Sequence, residues 1–211
     1  MPSVVQTSLF DLTVTDHRAL VPLSGMLTRQ TLGRGAWVDL LPGWLGGASS
    51  LFEDLLEKVR WQAERRQMYE RVVDVPRLLS FYAEDDPLPH PDLVTAREVL
   101  NAHYDEELGE PFTTAGLCLY RDGRDSVAWH GDTIGRGKSE DTMVAIVSLG
   151  SPRQFLLRPR GGGATIRHVF GHGDLIVMGG SCQRTWEHAI PKTTRPVGPR
   201  ISVQFRPSGV R

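Results

Sequence analysis

The 211-residue sequence predicts a mainly β protein of the α+β class, an antiparallel jelly roll that carries helices on one side. Two observations predict this fold. Short segments with strand-like composition follow one another after Pro111, separated by Gly, Pro or Asp turns. Two segments with helical apolar spacing precede them, so helices and strands are segregated along the chain and do not alternate as βαβ units.

The N-terminal part begins with a segment that has no sustained apolar period. Residues 1–36 are therefore predicted to form an irregular extension with one short strand at most. Ser50 and Glu53 then have the spacing of a capping box, and an apolar stripe at helical spacing follows. We predict a helix from Ser50 to about Gln67.

Prolines separate this helix from a second one. Pro76 and the Pro-rich residues 85–91 are expected to interrupt regular structure. The second helix is predicted from Asp92 to Glu107. Its predicted inward positions are Leu93, Ala96, Val99, Leu100 and His103.

Strands account for most of the chain after Pro111. Alternating apolar positions bounded by turn residues predict eight of them. Their ranges are 115–121, 126–130, 143–149, 153–158, 164–169, 174–178, 186–190 and 200–206.

Composition limits the functional class. Cys118 and Cys182 lie far apart, which excludes a disulfide-rich secreted scaffold. No stretch has the apolar length of a membrane span and no signal peptide is recognisable, so we expect a cytoplasmic protein that does not contact membranes. Net charge is −1, but residues 1–111 are strongly acidic and residues 112–211 strongly basic.

A His-Gly-Asp tripeptide is the first candidate for chemistry. In an extended segment His130 and Asp132 share a face, so both can reach one metal ion, and His188 can supply a third ligand. Two histidines and one carboxylate describe the site of non-haem Fe(II) oxygenases. The alternative is a hydrogen-bonded turn. The second tripeptide, His172 to Asp174, is interpreted as such a turn, and His168 as structural.

The C-terminal strand alternates cleanly between apolar and polar residues. Arg200, Ser202, Gln204 and Arg206 share one face. Long arginine side chains at the two ends of this face can bind a dicarboxylate, whereas a solvated polar face is the alternative.

The sequence resembles the AlkB family of Fe(II)- and 2-oxoglutarate-dependent dioxygenases. The resemblance covers roughly residues 115–207 and depends on motifs that occur in order. They are Tyr120-Arg121-Asp122-Gly123, Trp129-His130-Gly131-Asp132, Val147-Ser148-Leu149-Gly150, Gly173-Asp174-Leu175-Ile176, Trp186-Glu187-His188-Ala189 and the strand Arg200 to Arg206. Leu41 to Leu45 and Pro76-Arg77 fall where the family has nucleotide-recognition elements.

The resemblance implies a double-stranded β-helix in a single domain, residues 1–211. Within it, 1–36 would be the irregular extension, 37–111 the helices and substrate-recognition region, and 112–211 the catalytic core. It also implies that His130, Asp132 and His188 bind the iron and that O2 is a further substrate.

The same resemblance implies a 2-oxoglutarate site. Arg200 matches the arginine for the far carboxylate and Arg206 the one near the metal-bound end. Tyr120 matches a tyrosine that hydrogen-bonds the cosubstrate, and Ser202 lies on the same polar face as the arginines. Cys118 replaces a family asparagine, which weakens one expected contact.

The implied activity is oxidative dealkylation of N-alkylated bases in DNA or RNA by a monomer. Well-studied relatives have an acidic residue where this chain has Ile134, which cannot accept a hydrogen bond from an exocyclic amine. The same chemistry on a protein, lipid or small molecule is therefore an alternative, and a non-catalytic jelly-roll module that binds a metal or a ligand is another. The predicted substrate contacts are Met68, Tyr82, Ile134, Arg158 and Arg160.

Arg158 and Arg160 belong to a predicted hairpin with the glycine tip 161–163. Arg153 and Arg167 lie on the same hairpin, and residues 151–168 contain no acidic residue. These arginines are expected to lie along nucleic-acid phosphates, with simple solvation of a surface hairpin as the alternative.

Overall fold

A computed structural model describes residues 19–68 and 71–210 of the chain, with the side chains of 66–74 left out of the description. Twelve strands and three helices form in this part. They are β1 (Thr28–Gly33), β2 (Ala36–Leu41), α1 (Ala48–Lys58), β3 (Gln62–Met68), β4 (Arg71–Tyr82), α2 (Pro91–Leu108), β5 (Thr114–Tyr120), β6 (Val127–His130), β7 (Val144–Gly150), β8 (Arg153–Pro159), β9 (Ile166–Phe170), β10 (Asp174–Gly180), α3 (Cys182–Thr185), β11 (Trp186–Ile190) and β12 (Arg200–Arg206).

The strands form two antiparallel sheets. The major sheet has the order β1-β2-β10-β7-β12-β5-β4-β3, and the minor sheet has the order β6-β11-β8-β9. Each of the eight strands predicted after Pro111 is present, with bounds within two residues of the predicted ones. The predicted jelly roll with supporting helices is confirmed.

Alternation along the central strand β12 separates two cores. Ile201, Val203 and Phe205 face α1 and α2, whereas Arg200 and Ser202 face the space between the sheets. The inter-sheet core is lined by Val144, Ile146, Phe155, Leu157, Ile176, Met178, Trp186 and Ile190. Met178 and Trp186, expected as core residues, are buried there.

The first predicted helix is too long, because its second half forms a strand. α1 ends at Lys58, the next residue Val59 is extended, and Gln62–Met68 pairs with β4. Gln, Ala, Glu and Arg favour helices when isolated, but pairing with a neighbouring strand overrides this preference. The capping box is also wrong, since Gly47 caps the helix and the Ser50 hydroxyl donates to its carbonyl.

Pro76 does not interrupt regular structure, and β4 continues through it. The β3–β4 register shifts between Ala63 and Arg65, so additional residues of β4 bulge where Pro76 lies. Pairing of β4 with β5 begins only at Leu78, so no ladder bond requires the N–H that proline lacks.

The N-terminal region contributes more to the sheet than predicted. Of residues 1–36, the first 18 lie outside the described residues, whereas β1 and the start of β2 are regular strands. β2 pairs with β10, so the major sheet combines N-terminal strands with C-terminal ones. No helix in the described part of the chain is long and apolar enough to cross a membrane.

A buried ion-pair network attaches α2 to this edge of the sheet. α2 is present as predicted, but Tyr104 faces inward and His103 is exposed. Asp39 is 2% exposed and accepts two 2.7 Å hydrogen bonds from Arg29 and one of 2.9 Å from the Tyr104 hydroxyl. The Arg29 guanidinium also lies over the Trp37 ring, with its Cζ 3.7 Å from the ring centroid. Burial of the Asp39 carboxylate therefore depends on two partners from different elements.

Removal of Arg29 and removal of Tyr104, the two partners of Asp39, should destabilise the fold by different amounts. We expect Arg29→Met to lower the free energy of unfolding by about 2 kcal/mol, since a buried carboxylate would lose its charged partner. Tyr104→Phe should lower it by about 1 kcal/mol, because one hydrogen bond is lost. Urea denaturation measures both values, and a larger loss for Tyr104→Phe would contradict this account of the network.

Candidate functional site

Three side chains that could bind one metal ion converge between the two sheets. His130 ends β6 and lies directly opposite His188 of β11 in the strand register. Asp132 follows His130 by two residues. The candidate ligand atoms of the three residues all lie within 4.8 Å of one another, and no other such group occurs among the described residues. The prediction that these residues are close together is therefore fulfilled by the fold.

The orientation of the His130 ring is determined by the backbone of its own strand. Nδ1 lies 2.8 Å from the Ala128 carbonyl oxygen, to which it can donate only when that nitrogen is protonated. The lone pair of Nε2 then points at the cluster, where Nε2 is 3.7 Å from Oδ1 of Asp132. A backbone acceptor behind the ring is the usual way in which proteins orient a metal-binding histidine.

Asp132 is buried and held on both sides. Its N–H donates to Oε1 of Gln183 at 2.8 Å, and its Oδ2 accepts from Nε of Arg206 at 2.8 Å. Burial alone would raise the pKa of Asp132, but Arg206 and the two histidines lower it well below its usual value. Gly131 permits this geometry, because a Cβ at that position would collide with the Gln183 carbonyl oxygen.

His188 is kept neutral by its surroundings. Burial, followed by the proximity of His130, lowers the pKa of His188 to about 3. The ring stacks on Phe155, with ring centroids 5.4 Å apart. Two neutral imidazoles and one ionised carboxylate fit the ligand set of a non-haem Fe(II) centre.

The second His-Gly-Asp tripeptide forms a turn, as predicted. Nδ1 of His172 accepts from the Gly150 N–H at 2.8 Å. Asp174 accepts from the N–H groups of Gly171 and Gly43. His168, predicted to be structural, stacks on Phe170 within β9. These side chains are used for loop and strand contacts away from the cluster.

A buried guanidinium lies on the same strand as Arg206. Arg200 is 1% exposed and pairs directly with Tyr120 across β12 and β5. Its Nε donates to Oγ of Ser148 at 2.9 Å, while its buried Nη1 has no hydrogen-bond partner among the described residues. An orphaned buried guanidinium N–H is costly unless a ligand accepts from it. This position therefore fits one carboxylate of a dicarboxylate ligand.

Ser202, Gln204 and Cys118 form the floor between the two arginines. The Gln204 amide donates to Oγ of Ser202 at 3.1 Å and to Sγ of Cys118 at 3.3 Å. The predicted polar face of β12 is therefore an internal surface, with Gln204 and Arg206 half-buried, and the solvated alternative is wrong. Cys118 stands where the resembled family has an asparagine, and its Sγ still accepts from Gln204 in this row of polar side chains.

Two arginines differ from their expected roles: Arg77 was noted only as part of a motif, and Arg153 was expected to lie along phosphates but is buried. Nη1 of Arg77 donates to the Ser126 carbonyl, while its buried Nε lacks a partner within the described chain. Arg153 is 4% exposed and donates to the carbonyls of Asp122, Asp125 and Pro191. Period-two alternation in β4 would have shown that Arg77 shares a face with Leu79, had Pro76 not suggested a break.

The predicted substrate contacts differ in position. Ile134 is 64% exposed and lines a cleft of about 360 Å³. Tyr82 packs against the helix-side core, which is the opposite face of β4, and its neighbour Phe81 lines the cleft. Because successive side chains of a strand point to opposite faces, Phe81 lines the cleft in place of the predicted Tyr82. The side chain of Met68 lies outside the described residues.

Three of the four hairpin arginines, Arg153, Arg158 and Arg160, have partners within the protein, whereas Arg167 is exposed. Glu187 of β11 lies 3.1 Å from two nitrogens of Arg158, which also covers the Trp129 ring at 4.1 Å. Arg160 donates to the carbonyls of Arg184 and Gln183. The buried Arg153 is unavailable to phosphates. The absence of acids in 151–168 was misleading, because the neighbouring strand supplies one.

Comparisons with known proteins agree with this geometry. A model of the 2OG-Fe(II) oxygenase superfamily matches residues 40–206. Alpha-ketoglutarate-dependent dioxygenase alkB homolog 3 of Bos taurus is 30% identical over 194 residues, covering 80% of this chain and 65% of the relative. DNA oxidative demethylase ALKBH2 of Homo sapiens is 24% identical over 178 residues, covering 75% of this chain and 68% of the relative.

The chain thus spans about 65% of the length of the first of these relatives. Among solved structures, OsALKBH1 matches with a TM-score of 0.58 and 15% identity, covering 84% of this chain and all of that one. A prolyl hydroxylase from Trichoplax adhaerens matches with a TM-score of 0.59 and 10% identity, covering 81% and 83%. At these identities the structural matches support the fold alone.

The Tyr120 phenol should ionise late in the folded protein. Burial raises the pKa of Tyr120 to about 12, although Arg77, Arg200 and Arg153 oppose this rise. Because the unfolded phenol ionises near pH 10, the contribution of Tyr120 to stability is present below pH 10 and is lost as pH rises towards 12. Ultraviolet absorbance measures tyrosinate formation as pH rises. The titration of Tyr120→Phe should lack a tyrosine that ionises well above pH 10 in the wild-type protein. If the variant instead lacked a tyrosine that ionises near pH 10, the assignment would be wrong.

Proposed function

Since the chain belongs to the 2OG-Fe(II) oxygenase superfamily, we propose that it oxidatively removes N-alkyl groups from nucleobases in DNA or RNA. One oxygen atom of O2 hydroxylates the alkyl carbon, which then leaves as an aldehyde. The other oxygen atom enters succinate, which forms from 2-oxoglutarate with release of CO2. The names of two relatives, an alkB homolog and a DNA oxidative demethylase, support a nucleic-acid substrate.

One observation carries the catalytic part of the proposal. The candidate ligand atoms of His130, Asp132 and His188 lie within 4.8 Å of one another. The Asp132 carboxylate is also ion-paired with Arg206, which lies on the same strand as Arg200. The candidate metal site and an orphaned buried guanidinium are thus connected through one face of β12. This combination fits Fe(II) and a dicarboxylate cosubstrate.

The proposed roles follow from the contacts of each residue. Bound Fe(II), with 2-oxoglutarate and O2, supplies the oxidising power for hydroxylation of the alkyl carbon. His130 is oriented by Ala128, and Arg206 keeps Asp132 ionised without leaving its carboxylate free to turn. Gln183 holds the backbone of Asp132 from the other side. These contacts preorganise the three ligands on one side of the ion.

Arg200 is proposed to bind the far carboxylate of 2-oxoglutarate. Its Nε is already occupied by Ser148, so the guanidinium cannot rotate freely, and Nη1 remains for the ligand. The centroid of the Tyr120 ring lies 5.3 Å from Cζ of Arg200. Because the pKa of Tyr120 is raised, its hydroxyl remains a neutral hydrogen-bond donor. Ser202 and Gln204 present further polar atoms along the path towards Arg206.

A turnover assay with the metal-ligand variants tests the proposed function. With Fe(II), 2-oxoglutarate and a panel of alkylated oligonucleotides, the wild-type protein should release aldehyde and succinate in equal amounts. His130→Ala, Asp132→Ala and His188→Ala should each abolish both products and Fe(II) binding, because each opens the coordination sphere. His172→Ala is the matched control and should keep Fe(II) binding, since that ring contacts a loop.

The outcomes separate the alternatives. If succinate formed but no oligonucleotide released aldehyde, the protein would be an oxygenase whose substrate is a protein, a lipid or a small molecule. Fe(II) binding that survives His130→Ala but not His172→Ala would reverse the assignment of the two tripeptides.

Arg200→Ala should affect the cosubstrate more than the metal. Loss of a charge-assisted contact with a carboxylate should raise the KM for 2-oxoglutarate roughly tenfold to a hundredfold, while Fe(II) affinity is largely kept. Steady-state succinate formation and metal titration measure the two quantities. An unchanged KM would remove Arg200 from the cosubstrate site.

A further inference from the structure

Arg160 follows the last residue of β8 and lies against the end of α3. Its backbone N–H donates to the Thr185 carbonyl at 2.8 Å. Its side chain donates through Nε to the Arg184 carbonyl at 2.9 Å, and through Nη2 to the Gln183 carbonyl at 3.3 Å. The last carbonyls of a helix have no partner within the helix, and a nearby basic side chain can bind them. One residue of the β8–β9 hairpin thus binds three consecutive carbonyls of α3.

α3 in turn holds the loop that bears Asp132. Gln183 is 1% exposed, and its Oε1 accepts from the Asp132 N–H at 2.8 Å. Arg206 holds the carboxylate of Asp132 at the other end of the residue. Gln183 therefore fixes the backbone position from which the Asp132 carboxylate projects towards the candidate metal site.

Arg160 also packs directly against this loop. Gly131 separates His130 from Asp132. A Cβ at Gly131 would lie 2.9 Å from Nη2 of Arg160 and 2.3 Å from the Gln183 carbonyl oxygen. The guanidinium therefore touches both α3 and the backbone between two of the candidate ligands, and only glycine allows this close approach.

A carboxylate beside the third candidate ligand lies next to the same guanidinium. Glu187 precedes His188 in β11, and its Oε1 is 3.9 Å from Nη1 of Arg160. This distance describes an ion pair without a hydrogen bond. Glu187 is also bound by Arg158 at 3.1 Å. It therefore attracts Arg160 by charge and leaves the Nε and Nη2 donors of Arg160 to α3.

The role predicted for Arg160 from the sequence is a contact with nucleic-acid phosphates. Its side chain is 42% exposed, but Nε and Nη2 already donate to carbonyls of the protein. An arginine fork that bound a phosphate through these two nitrogens would first have to leave α3. The observed contacts therefore favour a role directed into the protein.

We propose that Arg160 is a positioning residue of the candidate metal site and acts through Gln183 on the backbone of Asp132. Loss of its side chain would leave two carbonyls of α3 without their donors and would let α3 shift. Asp132 would then lose the position in which it can share one ion with both histidines. The proposal concerns the metal ligands alone and does not depend on the identity of the substrate.

Co(II) binding tests this proposal without turnover. Co(II) binds the same nitrogen and oxygen ligands as Fe(II), and its visible absorption changes with ligand geometry. Contacts that orient metal ligands typically change metal affinity about tenfold to a hundredfold, so Gln183→Leu should raise the Kd for Co(II) at least tenfold. Arg160→Met acts one contact further away and should raise the Kd about three- to tenfold, with an altered spectrum. Arg167→Met, the matched control at an exposed position of the same hairpin, should change neither.

A double variant tests whether Arg160 acts through Gln183. Two residues that act through one contact have effects that do not add. Arg160→Met combined with Gln183→Leu should therefore bind Co(II) about as weakly as Gln183→Leu alone. Fully additive losses would mean that Arg160 affects the metal by another route, and the proposal would be wrong.

Circular dichroism and urea denaturation of the metal-free variants show which of them fold. If Arg160→Met does not fold, Arg160→Lys takes its place, because an ammonium group keeps the charge without the planar fork that binds two carbonyls. This variant should raise the Kd about threefold. Wild-type Co(II) affinity in a folded Arg160 variant would overturn the proposal. If the same variant also had a shallower salt dependence of oligonucleotide affinity, the phosphate contact would be the correct role.

The wild-type protein distinguishes this proposal from the proposed function. If it binds Co(II) and the Arg160 variants bind Co(II) equally well, the proposal is wrong and the proposed function stands. If the wild-type protein binds neither Co(II) nor Fe(II), the candidate metal site is refuted, and both the proposed function and the role of Arg160 fail with it.

Discussion

The ion pair between Asp132 and Arg206 joins the two sheets at the point where the proposed chemistry occurs. Asp132 follows the last residue of β6 in the minor sheet, and Arg206 ends β12 in the major sheet. A carboxylate that is 5% exposed is stable as an anion only with a charged partner and further hydrogen bonds. Arg206 is this charged partner, and the Gln183 side chain accepts from the Asp132 N–H, so the two residues together orient Asp132 within the candidate metal-binding cluster.

β12 connects this ion pair to the rest of the site. Its apolar face packs against the helices, so the strand is held in the centre of the major sheet between β5 and β7. Its polar face runs inside the protein from Arg200 to Arg206, and internal hydrogen bonds of Gln204 satisfy the groups between them. One strand thus provides the core contacts of one layer and the polar wall of the next.

Several arginines of the basic C-terminal half bind other groups of the same protein. Arg153 binds three carbonyls, Arg158 binds Glu187, and Arg136 binds Glu110 from the acidic N-terminal half. A planar guanidinium can serve several acceptors at once, which suits loops whose carbonyls would otherwise lack partners. The surface beside the candidate metal site therefore need not be basic, and no arginine or lysine is among the described residues that line the cleft there.

The sequence by itself determined the features that depend on local periodicity. Alternation predicted the eight C-terminal strands and the common face of Arg200 and Arg206, and the spacing of His130 and Asp132 predicted a shared direction. The tertiary structure decided what depends on partners distant in the chain. Gln62–Met68 became a strand because β4 was available to pair with it, and Arg158 found Glu187 on a neighbouring strand. Phe81 lines the cleft in place of the predicted Tyr82, because only the packing of β4 decides which of its two faces meets the helices. Periodicity shows which residues share a face, whereas the neighbour of that face is set by contacts between segments far apart in sequence.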